Sequence, residues 1–398
     1  MVSKFDVLVV GAGAVGSVIV KFLSREKRIE KIICSDKNPK RARRFIDFSD
    51  SKLSFKKIDA SDENQIAKAS KDVDLIINAA LPHFNTTIMK SALRSGANYQ
   101  DMCSHLDKSK KPEQLKFDNR FKKENLIGLI NTGISPGITN ILAMNNANKL
   151  DDVYSIKIRT LLDPNAIEPI FAMSPEITLE GSTSPPLVYR NGKFKFIKPF
   201  EEAEYYKFPE PLNRRFVFSV YGDEIATLPY YIKTKDVDFK SGGVDVEASK
   251  LFYDMGLLSD RAIKIGKESF VPLEFFSKKL PTVPHPDKMI ELMHKGIVED
   301  ALVALVVELN GEKFDKKVSI KSSIIFPTLK EIAKILPGAT YISYPTGLSA
   351  FSFSKIIPLI EEHGVFPPEA LNSDLRNRVL LELVSNGIRI RNDFESMS

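Results

Sequence analysis

The chain's most chemically specific run is Gly11-Ala12-Gly13-Ala14-Val15-Gly16. In this spacing the first glycine permits a tight turn, the second lets the backbone approach a pyrophosphate, and the third lets a helix pack closely on a strand. The N–H groups opening that helix then face the anion, helped by the positive end of its dipole. A glycine run alone is a weak signal. Here it lies between the apolar run Phe5 to Val10 and a helical pattern with Val18, Ile19, Phe22 and Leu23 on one side, which is the setting the motif needs. A second apolar run, Lys31 to Ser35, ends at Asp36. A carboxylate there accepts from the adenosine ribose hydroxyls and repels a 2′-phosphate, which favours NAD. Lys37 and Arg41 beside it leave NADP open. Asp36 also reads as the N-cap of a helix starting at Asn38-Pro39, and the two roles are compatible.

Further candidates follow the next strand ends. Ile58 to Asp62 reads as a third strand running into a helix cap, with Asp59 and Ala60 beside an adenine or Asp62 serving only as the cap. Val73 to Asn78 reads as a fourth strand, and Asn78, Ala79, Ala80 and Pro82 fall where a nicotinamide ribose would lie; close packing explains the alanines equally well. Tyr99, Asp101 and His83 come just after strand ends of the same sheet, at the edge where ligands bind. Asp101 is the first choice for substrate contact or proton handling, with a strand-end cap as the alternative. His83 titrates in a useful range but also reads as a surface or capping residue. Pro136-Gly137 opens a helix, so free N–H groups from Gly137 to Asn140 are candidates for holding a substrate or nicotinamide group, or the segment is a structural turn. For a substrate carboxylate the candidates are Arg159, Arg214, Arg215 and Lys233, each readable as a solvated sheet-face charge. His105, His285, His294 and His363 show no ligand spacing, so no metal is expected.

These residues need a scaffold, and 398 residues make two domains the default. Apolar residues at 43% and charged residues at 27% are globular proportions. No apolar run is long enough to span a membrane. Cys34 and Cys103 lie far apart, which favours a reducing cytoplasm. The net charge of +6 is modest, and the basic run Lys37 to Arg44 lacks interleaved aromatics. It reads as a solvated helix face or a cofactor phosphate contact before a nucleic-acid surface. Strand–helix alternation over residues 1–140 predicts a doubly wound parallel sheet.

Residues 141–330 alternate like hairpins, with Asn191-Gly192 and Asn310-Gly311 as turn signals. They predict an α+β domain on an antiparallel sheet, with helices near Lys235 to Leu257 and Lys288 to His294. Residues 331–398 read as a helical tail with Gly and Pro punctuation.

Motifs spread along the chain give it a more specific likeness. These are Leu81-Pro82-His83-Phe84, Ala97 to Met102, and Asn131-Thr-Gly133-Ile-Ser135-Pro136-Gly137-Ile-Thr139-Asn140. Further on come Phe171 to Glu176, Asn191 to Lys193, Glu224 to Pro229, a Pro345-Thr346-Gly347 turn and Gly364 to Glu369. With them the chain resembles the saccharopine dehydrogenase/reductase-like superfamily, which includes lysine 6-dehydrogenases and carboxynorspermidine dehydrogenases. The resemblance implies an NAD(P)-dependent oxidoreductase moving hydride at a C–N bond of an amino acid or opine-like secondary amine, as in lysine and saccharopine metabolism. It also implies a homodimer with the exposed sheet of the second domain as its surface, a tail that returns to the first domain so that the second is an insertion, and an active site in the crevice between them. Substrate contacts are expected at Ser135, Pro136, Gly137, Asn140, Glu176 and Arg214. The lysine 6-dehydrogenase and polyamine-forming branches are alternatives, and a non-catalytic dinucleotide sensor is a rival of another class. Two positions depart from saccharopine reductases. Ser135 replaces an acid before Pro-Gly, and Glu176 replaces an arginine after Ser-Pro. An anion at the second position suits a substrate amine better than a tricarboxylate.

Overall fold

The computed structural model describes residues 4–396. The chain folds as two units. One comprises the residues up to Ile141 with Ser343–Gly387, the other Leu142–Ile342 with the residues from Ile388 on. Strands are numbered in chain order.

The first unit carries β1 (Phe5–Val10), β2 (Ile29–Asp36), β3 (Leu53–Lys57), β4 (Leu75–Asn78), β5 (Asn98–Asp101), β6 (Ile127–Leu129) and β17 (Gly364–Phe366). They form one sheet in the order β3-β2-β1-β4-β5-β6-β17. Every pair is parallel. Val7 to Val10 are at most 2% exposed, as befits a strand covered on both faces. Leu8 and Val10 share a core cluster with Ile66, Ile76, Ile88, Met89 and Phe121. The helix Ala14–Arg25 buries Val18, Ile19, Phe22 and Leu23. Phe22 stacks on Phe351 of the helix Ser343–Ser354 with ring centroids 5.3 Å apart.

Three expectations are corrected in this unit. The third strand lies at Leu53–Lys57, ahead of Ile58, because an edge strand needs no continuous apolar run and LSFKK alternates in exposure. Pro345-Thr346-Gly347 is no turn but the start of a helix. A Cβ on Gly347 would fall 2.5 Å from Val18 Cγ1, so glycine serves close helix packing there. The return to this unit begins at Ser343 and adds β17 as well as helices.

The second unit is built on β7 (Asp152–Ala166), β8 (Leu187–Arg190), β9 (Lys193–Phe196), β10 (Glu204–Lys207), β11 (Arg214–Ser219), β12 (Asp236–Gly242), β15 (Val298–Lys313), β16 (Lys316–Ile325) and β18 (Arg389–Ser396). The main path runs β10-β11-β12-β7-β15-β16-β18, and β8 and β9 form a hairpin attached to β12. A small separate hairpin pairs β13 (Ile263–Ile265) with β14 (Glu268–Phe270). Leu161, Tyr206, Phe208, Leu212, Val217, Ala304 and Val306 form a core on the main sheet.

This sheet is mixed, where an antiparallel one was expected. β12 runs parallel to β7, because the long segment holding β8 to β11 acts as a crossover. The helix expected near Lys235 to Leu257 is confined to Val244–Asp254, behind β12. The two turn signals part company. Asn191 and Gly192 have φ of +49° and +76° and turn the β8–β9 hairpin. Asn310-Gly311 lies inside β15, at a register shift against β7. A Cβ on Gly311 would sit 2.1 Å from the Asp152 carbonyl oxygen, so glycine there admits a neighbouring backbone. The hairpin instead turns at Phe314 and Asp315, with φ of +50° and +58°.

Candidate functional site

The carboxyl ends of β1 and β4 lie where the strand order reverses, which is where open α/β sheets bind ligands. Gly11 has φ +105°, and a Cβ there would lie 2.6 Å from the Ala79 carbonyl group. On Gly16 it would lie 1.9 Å from the Gly11 carbonyl oxygen. Both glycines therefore serve the chain's own packing. Gly13 differs, since a Cβ there would meet only Arg41 Nη2, at 3.2 Å. That opening lies at the N-terminus of the helix Ala14–Arg25, whose cap Gly13 offers no side chain. The first-turn amides of Ala14, Val15 and Gly16 have no acceptor within the helix. The cradle fits a pyrophosphate.

Asp36 ends β2 beside this loop. Its Oδ2 accepts from the Ala12 N–H at 3.2 Å and its Oδ1 from the Asn38 N–H at 2.9 Å. The helix cap is Asn38, whose Oδ1 accepts from the Arg41 N–H, so the capping reading of Asp36 is corrected. A carboxylate has lone pairs to spare for a ribose hydroxyl. Lys37 is exposed, and the Arg41 guanidinium lies between Gly13 and the Phe45 ring. Past β3, Asp59 is exposed. Hydrogen bonds from the Ser61 N–H and hydroxyl hold its carboxyl below the ordinary range. Ala60 is half-buried beside it.

At the end of β4, Asn78 Oδ1 accepts from the Ala80 N–H at 2.9 Å, and its Nδ2 donates to Asn85 Oδ1 at 2.6 Å. This fixes the path of Ala79 and Ala80 into the short turn opened by the buried Pro82. His83 is exposed, its ring centroid 3.9 Å from that of Phe84.

Asp101 and Tyr99 are at most 1% exposed. Asp101 Oδ1 accepts from the Asn131 N–H at 2.8 Å. Its Oδ2 accepts from the Tyr99 hydroxyl at 2.8 Å and from Gln114 Nε2 at 2.9 Å. Burial pushes the Asp101 carboxyl up to about 7 against the pull of these donors, and burial raises the Tyr99 phenol as well. Asp101 thereby supports the turn that starts at Asn131, and Tyr99 supports Asp101. Gln114, Asn85 and Asn131 complete the network. No motif marks them, because their partners lie far off in the sequence.

That turn contains a cis Ser135-Pro136 bond, and Gly137 has φ +130°. Its amides are not free, contrary to expectation. The Gly137 N–H donates to Asn140 Oδ1, Ile138 N–H to the Gly133 carbonyl and Thr139 N–H to the Ile134 carbonyl, each at 3.1 Å. Asn140 is buried and donates to Glu369 Oε2 at 3.0 Å. Pro136 is buried, and Ser135 is half-buried.

In the second unit Glu176 is exposed in the first turn of the helix Pro175–Thr183, behind the cap Ser174. Arg214 is exposed at the start of β11, and Lys233 is exposed also. Arg159 is not a solvated charge. It is 1% exposed and paired with Asp238 at 2.5 Å and Glu204 at 2.6 Å. Arg215 is paired with Asp163 at 2.7 Å. One pair had no sequence signal. The buried Tyr341 donates to Asp245 Oδ2 at 2.5 Å, and burial pushes the Asp245 carboxyl up to about 6. Among the described residues, no group of three or more His, Cys, Asp or Glu side chains is placed to hold a metal ion. No helix among them is long and apolar enough to cross a membrane.

Fold and site together define a dinucleotide-binding oxidoreductase. Residues 7–129 match the saccharopine dehydrogenase NADP binding domain family, and residues 133–388 match the saccharopine dehydrogenase C-terminal domain family. The chain belongs to the saccharopine dehydrogenase family and is an NAD(P)-binding oxidoreductase of that type. It is 26% identical over 403 residues to the carboxynorspermidine synthase of Vibrio cholerae, covering 93% of each chain. It is 24% identical over 290 residues to the carboxyaminopropylagmatine dehydrogenase of a Synechocystis species, covering 69% of this chain and 72% of the relative. Among solved structures it shares its fold with the apo saccharopine dehydrogenase (L-Glu forming) of Saccharomyces cerevisiae. That likeness has a TM-score of 0.73 at 15% identity and covers 98% of this chain and 100% of that one. A homospermidine synthase from Legionella pneumophila in complex with NAD gives a TM-score of 0.61 at 13% identity, covering 99% of this chain and 92% of that one.

Proposed function

We propose that this enzyme reduces the imine formed between a diamine and an amino-acid semialdehyde, or oxidises the resulting carboxylated secondary amine. The observation that carries this reading is Glu176, an exposed carboxylate where saccharopine reductases resemble one another in carrying arginine. A carboxylate attracts a substrate ammonium and repels the extra carboxylate of saccharopine. The near full-length likeness to a relative named carboxynorspermidine synthase supports the same choice over lysine and saccharopine substrates.

When bound, the nicotinamide supplies or accepts the hydride. In reduction the imine carbon gains hydride, the C=N π pair moves to nitrogen, and nitrogen takes a proton. The chain's part is to orient and to manage that proton. Gly11 and Gly16 set the loop, Gly13 leaves room for the pyrophosphate, and Asp36 takes the adenosine ribose. Asn78 fixes Ala79, Ala80 and Pro82 at the nicotinamide end, with Asp59 and Ala60 on the adenine side. His83, the exposed member of the three expected proton carriers, is assigned to the proton step. Asp101 and Tyr99 position the turn carrying Ser135, Pro136, Gly137 and Asn140, of which Ser135 is the half-buried member suited to touching substrate. Glu176 takes the substrate amine and Arg214 its carboxylate. The setting in this reading is a cytoplasmic homodimer.

NAD is the proposed cofactor, on Asp36; the cation that would serve NADP instead is Arg41, next to Gly13. Asp36→Ala should weaken NADH binding at least tenfold while leaving NADPH binding nearly unchanged. Equal losses in a fluorescence titration would remove the ribose role. For the substrate, NAD(P)H oxidation should be fastest with a diamine plus an amino-acid semialdehyde. Faster turnover with lysine-derived semialdehyde plus glutamate, or with 2-oxoglutarate plus lysine, would return the enzyme to the saccharopine branch.

A further inference from the structure

A buried chain of polar side chains crosses the first unit from the turn after β4 to the turn that starts at Asn131. Asn78, Asn85, Tyr99, Asp101, Gln114 and Asn131 are each at most 2% exposed. Asn78 ends β4, Asn85 opens the helix Asn85–Ser95, Tyr99 and Asp101 lie on β5, and Gln114 lies on the short helix Glu113–Phe117. All six belong to the first unit. A buried polar group left without a partner costs more than a made hydrogen bond returns, so the place of each hydrogen in such a chain matters.

Backbone N–H groups, which only donate, fix both ends. At one end the Ala80 N–H donates to Asn78 Oδ1, so Asn78 presents its amide nitrogen to Asn85 Oδ1. Asn85 turns its own Nδ2 to the Cys103 carbonyl, at 2.9 Å. Asn85 therefore faces Tyr99 with an amide oxygen, which only accepts, 3.1 Å from the phenol oxygen. At the other end the Asn131 N–H takes Asp101 Oδ1. That leaves Oδ2 facing the Tyr99 hydroxyl at 2.8 Å and Gln114 Nε2 at 2.9 Å.

The Tyr99 hydroxyl thus stands between two oxygens and carries one hydrogen. With Asp101 ionised, that hydrogen goes to Oδ2, and the contact with Asn85 is oxygen against oxygen with no hydrogen between them. With Asp101 neutral, the carboxyl hydrogen sits on Oδ2 and is donated to the phenol oxygen. The phenol then donates to Asn85, and every contact along the chain is a hydrogen bond. Only the neutral carboxyl satisfies the whole chain.

We infer that Asp101 is held as a neutral acid and that its proton, by setting the direction of the Tyr99 hydroxyl, couples the turn from Asn78 to Ala80 with the turn that starts at Asn131. Asn85 and Tyr99 are positioning residues in this link. Loss of the proton turns the Tyr99 hydrogen away from Asn85 and weakens the support of Asn78 and Ala80. Burial raises the Asp101 carboxyl to about 7, which puts the change near neutral pH. The titratable groups facing it favour the neutral form. Glu113 adds a negative charge, and the Tyr99 phenol, raised by burial with Cys103 beside it, stays uncharged. The link to the cofactor rests on the proposed seat of the nicotinamide beside Ala79 and Ala80 and is independent of the substrate reading.

The test uses the full chain labelled with nitrogen-15, NADH as the sole ligand, and a titration from about pH 5 to about pH 9, which spans the ordinary and raised carboxyl ranges. The Ala80 and Asn131 amide signals should shift with one common midpoint. The NADH dissociation constant should rise about fivefold over the titration, the worth of one net hydrogen bond. By reciprocity, bound NADH should move the common midpoint upward. Asp101→Asn places a permanent N–H donor against the phenol. Gln114 Oε1, which has no hydrogen-bond partner among the described residues, can turn to accept from the same amide. Both signals and the NADH affinity should then lose their pH dependence. Tyr99→Phe should keep the Asn131 shift and abolish the Ala80 shift, a split that a merely structural role for the ring does not produce. His83→Asn removes the exposed imidazole near Ala80, and the Ala80 shift should persist in it. An Ala80 shift that survives Tyr99→Phe or Asp101→Asn, or an NADH affinity that does not change with pH, would overturn the inference. If the variants fail to fold, wild type still decides, since separate midpoints for the two amides or an Ala80 signal that does not titrate would overturn it as well. With no substrate present, turnover on saccharopine rather than on a diamine adduct would leave these results standing.

Discussion

At the scale of single residues, the glycine motif separates into two jobs that the spacing alone does not distinguish. Gly16 is needed by the fold, since its Cβ would lie 1.9 Å from a backbone oxygen, whereas Gly13 meets only the end of a flexible arginine at 3.2 Å. Gly16→Ala should therefore lower the melting temperature by ten degrees or more, on the order of a backbone clash in a core. Gly13→Ala should melt within a few degrees of wild type yet bind dinucleotide at least tenfold more weakly. Calorimetry paired with a binding titration reads both. Asp101 gives a pH signature. Its carboxyl is raised from the ordinary 3.8 to about 7, so the folded state holds the proton more tightly than the unfolded one. Stability then falls as pH rises between those values and levels off above about 7. Urea unfolding should show wild type less stable at pH 8 than at pH 5 by a few kcal/mol. Asp101→Asn should remove most of that difference, and an unchanged difference would mean the carboxyl is not the group responsible. The glycines and Asp36 were readable because their work is local. Asp101's partners Gln114 and Asn131 were not, because a buried polar network closes over chain separations that no motif spans.

At the scale of elements, the two Asn-Gly pairs show what a turn signal can and cannot decide. Both permit positive φ, but only Asn191-Gly192 uses it in a hairpin turn. Gly311 is set by a neighbouring strand, while the real turn at Phe314 and Asp315 puts two ordinary residues in the left-handed region. Asp315→Gly should therefore stabilise by about 1 kcal/mol, by relieving that conformation. Gly311→Ala should destabilise by about 2 kcal/mol or more, since β7 must move. Denaturant midpoints that moved in the opposite order would contradict a turn at Phe314 and Asp315. Pro345-Gly347 teaches the same lesson for helices, where glycine marked a close approach to Val18 rather than a turn. Parallel strands with both faces covered announced themselves as β-branched runs. The edge strand β3 and the parallel crossover to β12 did not, because solvent and topology, not apolar pattern, define them.

At the scale of the whole molecule, the order β3-β2-β1-β4-β5-β6-β17 follows from strand–helix alternation, and the family follows from motifs spread along the chain. The substrate end is set by few residues and was correspondingly harder to read. Glu176 pointed away from a tricarboxylate, while Arg159 proved to be a buried ion-pair partner. The proposed reaction transfers hydride to an imine carbon that joins a diamine to an amino-acid semialdehyde. The most direct measurement is to supply the enzyme with reduced cofactor carrying deuterium at both C4 positions of the nicotinamide, a diamine and an amino-acid semialdehyde, and to locate the label in the product by mass spectrometry. The expected result is a carboxylated secondary amine bearing one deuterium on the carbon next to its new nitrogen link. Deuterium found instead on an alcohol carbon of the reduced semialdehyde, or no label transferred although the cofactor binds, would contradict it.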